Sequence, residues 1–227
     1  MPFALKVVTP PASEPVSLEI AKSQLNLDPS FTADDDLVSA MISAARRDAE
    51  NFTGRAFAMQ QWLFCLDWFP AYRILDSAPS RSDYDSLGNY YFQSWRWNKS
   101  QSINIPRPPL VSIDSLQYVD QGSGQLTTLD PSQYQVDNIS EPGRILPADS
   151  GYWPVAATVV NAVQIRFTAG YDTVPPTAIQ AILLTVGAWY ANREDFLLGV
   201  AGATTLPMGA QRLLSMERTE IFGYSGR

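Results

Sequence analysis

Two stretches with helical periodicity, residues 34–53 and 176–193, bracket a long run that reads as strands and turns. Two amphipathic helices far apart in sequence must pack together to hide their apolar faces, which makes the β run an insertion between them. In the first, Val38, Ile42, Ala45, Ala49 and Phe52 recur at the spacing of one helical face, and Arg46, Arg47 and Glu50 fall on the opposite side. In the second, Ile179, Ile182, Leu183, Val186 and Tyr190 form the seam. Its other side, with Leu184, Ala188 and Trp189, is also apolar. That predicts burial on more than one face, the second supplied by a subunit interface.

Two shorter helices complete the helical set. Ser17 is an N-cap candidate for a helix over 17–27, with Glu19 in its first turn and Asp28-Pro29 ending it. Pro207 suits the first helical position of another over 207–216. Residues 1–15 are Pro-rich and read as extended. Gly54 is placed to take the left-handed conformation that closes the 34–53 helix. The three aspartates 34–36 read as a cap with favourable dipole charge, since no calcium-loop spacing follows them.

The β run starts at 62–69, apolar on both faces and so a covered strand. Further strands are expected at 102–105, 113–119, 126–129, 134–136 and 161–168. The last is the clearest, with Val163, Ile165 and Phe167 alternating with Gln164, Arg166 and Thr168. Gly122-Ser123-Gly124 reads as a hairpin turn, not a phosphate loop, because no GK[ST] follows. The fold class is therefore α+β: a helical core with an antiparallel β-sandwich or small barrel inserted between the second and third helices. Residues 1–54 and 170–216 are assigned to the helical core, 55–169 to the β domain and 217–227 to a C-terminal tail.

Absent residue types exclude much chemistry. The chain has no histidine, which removes His-based triads, His-ligated metals and the usual neutral general base. Its one cysteine, Cys65, cannot form an intrachain disulfide and sits in an apolar run as an inert thiol. No cofactor or metal is expected, and no enzyme activity. The sequons at Asn51, Asn98 and Asn138 are read as chance in a chain made in the cytoplasm. A net charge of −7 argues against a surface that tracks phosphates. No apolar run is long enough to span a membrane, and no signal peptide is read at the N-terminus.

Two segments are left over. Residues 77–100 combine serines with Tyr84, Tyr90, Tyr91, Phe92, Trp95 and Trp97, and the tail carries Ile221, Phe222 and Tyr224 with no local core. The first can be a long hairpin packed on the sheet, or an accessory contact loop for sugars or proteins through Tyr91, Trp95 and Trp97. A glycan- or protein-binding β-sandwich module is the alternative function this supports. A carboxylate-only hydrolase using Asp83 and Asp85 is a weaker rival, since two acids one residue apart in a loop are ordinary surface charge.

The chain resembles the phage head–tail connector proteins, also called adaptor or head-completion proteins, of long-tailed phages and prophages. The blocks that carry the resemblance are Val7-Val8-Thr9-Pro10-Pro11 with Glu14-Pro15-Val16-Ser17-Leu18, and 34–37 leading to Ala49-Glu50-Asn51-Phe52-Thr53-Gly54-Arg55. They continue with Ile105-Pro106-Arg107-Pro108-Pro109-Leu110, Tyr134-Gln135-Val136-Asp137 and Gly170-Tyr171. The last are Pro175-Pro176 through Ala188-Trp189-Tyr190-Ala191-Asn192-Arg193-Glu194, and Leu206-Pro207 through Arg212-Leu213-Leu214. Residues 77–100 are longer and more aromatic than the family pattern.

The resemblance implies a structural virion protein at the head–tail interface, made in the host cytoplasm. Such adaptors form a ring, usually a dodecamer, between the portal protein and a stopper or tail-completion protein. DNA passes through the lumen without specific binding, and the acidic balance would give that lumen a weakly repulsive lining. On this chain the resemblance maps docking to the portal onto Arg212, Leu213, Leu214, Ile221, Phe222 and Tyr224, and the subunit interface onto Leu184, Ala188 and Trp189.

Overall fold

The computed structural model describes residues 3–70, 101–148, 151–192 and 207–219. The elements run β1 (Phe3–Thr9), α1 (Leu18–Gln24), α2 (Asp35–Thr53), β2 (Gln60–Leu66), β3 (Ile103–Asn104), β4 (Leu110–Val119) and β5 (Leu126–Thr128). They continue with β6 (Tyr134–Asp137), β7 (Arg144–Pro147), β8 (Val163–Ala169), α3 (Pro176–Ala191) and α4 (Met208–Met216). The chain is thus α+β.

The helix ends follow their caps. The Ser17 hydroxyl accepts the Ile20 N–H at 3.3 Å and opens α1. Gly54, at φ 76°, closes α2 in the left-handed conformation, its N–H donating to the Glu50 carbonyl. Asp34 caps α2 through its backbone only. Its carboxylate instead accepts the Tyr190 hydroxyl of α3 at 2.6 Å. Asp35 pairs with Lys22 of α1 at 2.5 Å, so two of the three aspartates tie helices together. Among the described residues no cluster of His, Cys, Asp or Glu could hold a metal ion. Pro207 lies one residue before α4, where its carbonyl accepts the Gln211 N–H.

The expected seams are buried. Val38, Ile42, Ala45 and Ala49 of α2 meet Ala178, Ala181, Ile182, Leu183 and Val186 of α3, with Ala210 and Leu214 of α4 and Ala21 of α1 in the same core. Phe52, Ile179 and Tyr190 are half-buried at its margin. On the polar side of α2 the structure departs from expectation. Arg47 is exposed, but Arg46 and Glu50 are each only 4% exposed. The helix has a second covered face, turned toward the β part, and these two charges lie beneath it.

The larger sheet has the order β1-β2-β8-β4-β5, every neighbour antiparallel. A smaller antiparallel sheet has the order β3-β7-β6. Ile103, Tyr134 and Ile145 of the small sheet share one core with Trp62, Phe64, Leu116, Val163, Ile165 and Phe167 of the large one. β8 shows the predicted alternation, with Val163, Ile165 and Phe167 fully buried. β2 is covered as expected, and Cys65 is buried in it with its thiol pushed up by burial.

The β part is not drawn wholly from between the second and third helices. β1, expected only as an extended lead-in, pairs with β2 from Phe3↔Leu66 onward and forms the edge of the larger sheet. Its Leu5 and Val7 turn inward against the core, and Pro10 stops the ladder. β7, which no reading of the sequence anticipated, holds the small sheet together between β3 and β6.

Candidate assembly surface

The helical and β parts are joined by a network of buried polar side chains centred on Glu50. One Glu50 carboxylate oxygen accepts from the Phe57 N–H (2.9 Å), the Ala58 N–H (3.4 Å) and the Gln60 amide (2.8 Å), and the other takes Arg46 at 2.7 Å. Arg46 also grips Glu14 at 2.6 Å, so the segment before α1 is pinned to the same point. Arg107, at φ 63°, donates to the Glu50 carbonyl (2.5 Å) and the Asn51 side chain (2.9 Å). Burial pulls the Arg107 guanidinium below its ordinary range. The network fixes α2 against the sheet.

A second junction holds the end of the described chain. Arg55 donates to the Glu217 carbonyl and the Tyr171 hydroxyl, and pairs with Glu141 at 2.7 Å. The Thr177 hydroxyl donates to the Glu217 carboxylate at 2.6 Å, and the Thr219 N–H donates to the Thr53 carbonyl. Residues 217–219 are therefore anchored at the C-terminal end of α2.

The sequence-derived site residues divide by burial. Leu214 is wholly buried in the helical core, Leu213 is half-buried against it, and Arg212 is exposed. Leu184, Ala188 and Trp189 are half-buried. Part of the α3 face that the sequence left open is covered within the chain, because α4 packs on it: a Cβ on Gly209 would stand 3.6 Å from Leu184 Cδ1. Ile221, Phe222 and Tyr224, and Tyr91, Trp95 and Trp97, lie outside the described residues.

Sequence reasoning missed the outer face of α4. Met208 (88% exposed) and Met216 (69%) flank Arg212 at i, i+4, i+8, opposite buried Ala210 and Leu214. The spacing is present in the sequence, but the adjacent apolar pair Leu213-Leu214 is the stronger signal there, and Leu214 is buried in the chain's own core with Leu213 packed against it. A second exposed apolar patch lies at the far end of the β part, where Trp68, Tyr152 and Val155 surround a cavity of about 410 Å³. Pro70 and Gln101, which flank the aromatic 77–100 segment, line that same cavity. No helix among the described residues is long and apolar enough to cross a membrane.

Residues 15–79 match the family model of the phage gp6-like head-tail connector protein, a span that covers α1, α2 and β2. No curated protein sequence matches the chain. Among solved structures, a chain in the neck of an empty GTA particle computed with C6 symmetry superposes with a TM-score of 0.66. It is 20% identical, covering 97% of this chain and 98% of that one. A chain in the virion of a native gene transfer agent particle gives the same score and identity over 96% and 97%. A third, from the neck of the native GTA particle computed with C12 symmetry, scores 0.60 at 20% identity over 97% and 98%. The chain thus has a segment similar to the gp6-like head-tail connector model, within a fold similar over nearly its whole length to that of chains in these GTA particles.

Proposed function

We propose that this chain is a structural adaptor subunit of a virion, forming a ring between the portal and a stopper or tail-completion protein and extending the DNA channel. The observation that carries this reading is the coincidence of a connector match over 15–79 with a neck-subunit fold over 97% of the chain. The buried polar network suits such a role, because a ring subunit transmits load between its helical and β parts and needs them locked. The exposed Met208-Arg212-Met216 face of α4 is the portal-docking surface together with the 220–227 segment. The half-buried Leu184, Ala188 and Trp189 supply the contact between neighbouring copies. A net charge of −7 per copy lets DNA slide through the lumen without adhering.

The test is the solution mass of the purified chain, alone and mixed with the portal protein encoded beside it. The expected outcome is a ring, or a portal complex that is lost in a Met208→Glu, Met216→Glu variant. A monomer indifferent to the portal under both conditions overturns the proposal.

A further inference from the structure

β1 is an edge strand with one neighbour, β2. Among the described residues, the backbone of Ala4 to Val7 is bonded to nothing on its other side. Such a row of outward N–H and C=O groups is satisfied by water or by another extended chain. Beside that edge, a groove of about 820 Å³ separates β1 from the open side of α2. Leu5 and Val7 give it an apolar wall on the sheet side, and Ala40 and Ala44 do so on the helix side. The rest of the lining is polar, and its charges are unevenly matched. Arg46 is neutralised by Glu14 and Glu50, and the Glu50 carboxylate is filled by the donors already described. Arg47 is exposed and has no ion pair among the described residues. Arg107 spends its hydrogen bonds on neutral acceptors, the Glu50 carbonyl and the Asn51 side chain. Asn51 follows Arg47 by one helical turn, so the two guanidinium groups border one stretch of the groove. Asp48 is the only other acid in the lining. The Trp62 side chain, 6% exposed in the same lining, has an indole N–H without an acceptor among the described residues. In a chain of net charge −7, this groove is rich in donors and positive charge.

We propose that this edge and groove bind an extended strand of a partner protein whose groove-facing side chains are apolar and acidic. Its main chain pairs with β1, and every second side chain points into the groove. Five residues of added strand span about 17 Å, which matches the α2 wall from Ala40 to Asn51 at the helical rise. The apolar side chains lie against Leu5, Val7 and Ala44, and a carboxylate takes Arg47 and Arg107. The open strand edges of a second copy do not meet this requirement. A second β1 brings Lys6 and no acid, and β5 is three residues, Leu-Thr-Thr. β3 has two residues and no acid. β6 carries Asp137, but that carboxylate is already taken by Ile139, Ser140 and Arg144. The inference stands apart from the connector reading, since the groove shares no residue with the α4 face or with Leu184, Ala188 and Trp189.

The probe is a capped peptide in which Val, Glu and Val alternate with Thr, titrated into the ¹⁵N-labelled full chain. Its control carries Lys in place of Glu. The expected result is saturable shifts in the β1 amides. The alternate amides not bonded to β2 should also slow in hydrogen exchange on the order of ten-fold. The Glu peptide is expected to bind about ten-fold tighter than the Lys peptide, and Arg47→Glu, on the exposed side of α2, to cancel that preference. No shift up to millimolar peptide, equal binding of the two peptides, or a preference unchanged in Arg47→Glu overturns the proposal. So does protection of those amides before any peptide is added. Protection independent of concentration would assign the edge to the chain's own remaining residues, and protection that rises with concentration would assign it to a second copy.

Discussion

Glu50 has no oxygen to spare. Two backbone N–H groups, the Gln60 amide and Arg46 all converge on its carboxylate in a site closed to solvent. Removing it strands three donors and a buried guanidinium at once, and breaking a buried pair from one side costs about 3–5 kcal/mol. Glu50→Ala is accordingly expected to lower stability by that amount, read from the midpoint of urea unfolding, whereas Arg47→Ala on the exposed side stays within about 0.5 kcal/mol. The contrast between neighbouring arginines explains why this site was not legible in the sequence. Arg46 and Arg47 look alike in a helical wheel built on one apolar seam. Only the approach of β2 and Glu14 from the other direction buries the first and leaves the second in water.

At the scale of elements, what the sequence revealed was capping and periodicity, which act over a few residues. Ser17, Gly54 and the alternation in β8 are of that kind, and the structure has them where the pattern put them. What it concealed depends on distant partners. β1 is a seven-residue strand with one lysine and two prolines just beyond it, and nothing local says that β2 lies alongside. β7 is four residues long and ends in proline. Close approaches are equally hidden. Gly170, at φ 139°, passes so near the 58–59 backbone that a Cβ would stand 2.5 Å from the Ala58 oxygen and the Met59 Cα. Gly54→Ala should cost about 1 kcal/mol for its left-handed backbone alone, a fall of about 2–4 °C in melting temperature for a chain of this size. Gly170→Ala should cost more than twice that, because backbone must move as well. Calorimetry on the two variants checks the order.

For the whole molecule, the edge position of β1 matters most. It covers β2, whose residues are buried along most of their length, and so converts an apolar central strand into an interior one. A chain lacking residues 1–9 is expected to expose the β2 edge and aggregate through it. Light scattering during concentration would register this, and Lys6→Glu, which leaves the ladder intact, should remain clear. The connector resemblance was legible in the blocks at 15–18 and 34–55, which fall inside the span 15–79 that matches the connector model; the later blocks lie outside that span. The place of Leu213 and Leu214 was not legible, because apolar side chains advertise burial without saying whose core they enter, and the structure places Leu214 in the chain's own.

The partnership of α2 with α3 also has a consequence in time. α3 begins at Pro176, well over a hundred residues past Thr53. At a synthesis rate of about 5–20 residues per second, the apolar seam of α2 leaves the ribosome roughly ten seconds before its partner exists. During that interval the nascent chain can shelter β1 on β2 but has only Ala21 of α1, and Val16 just before that helix, to cover part of the seam of Val38, Ile42 and Ala45. The polysome, rather than the finished subunit, is therefore where this protein is most exposed to misassociation, and slower growth at low temperature lengthens the interval.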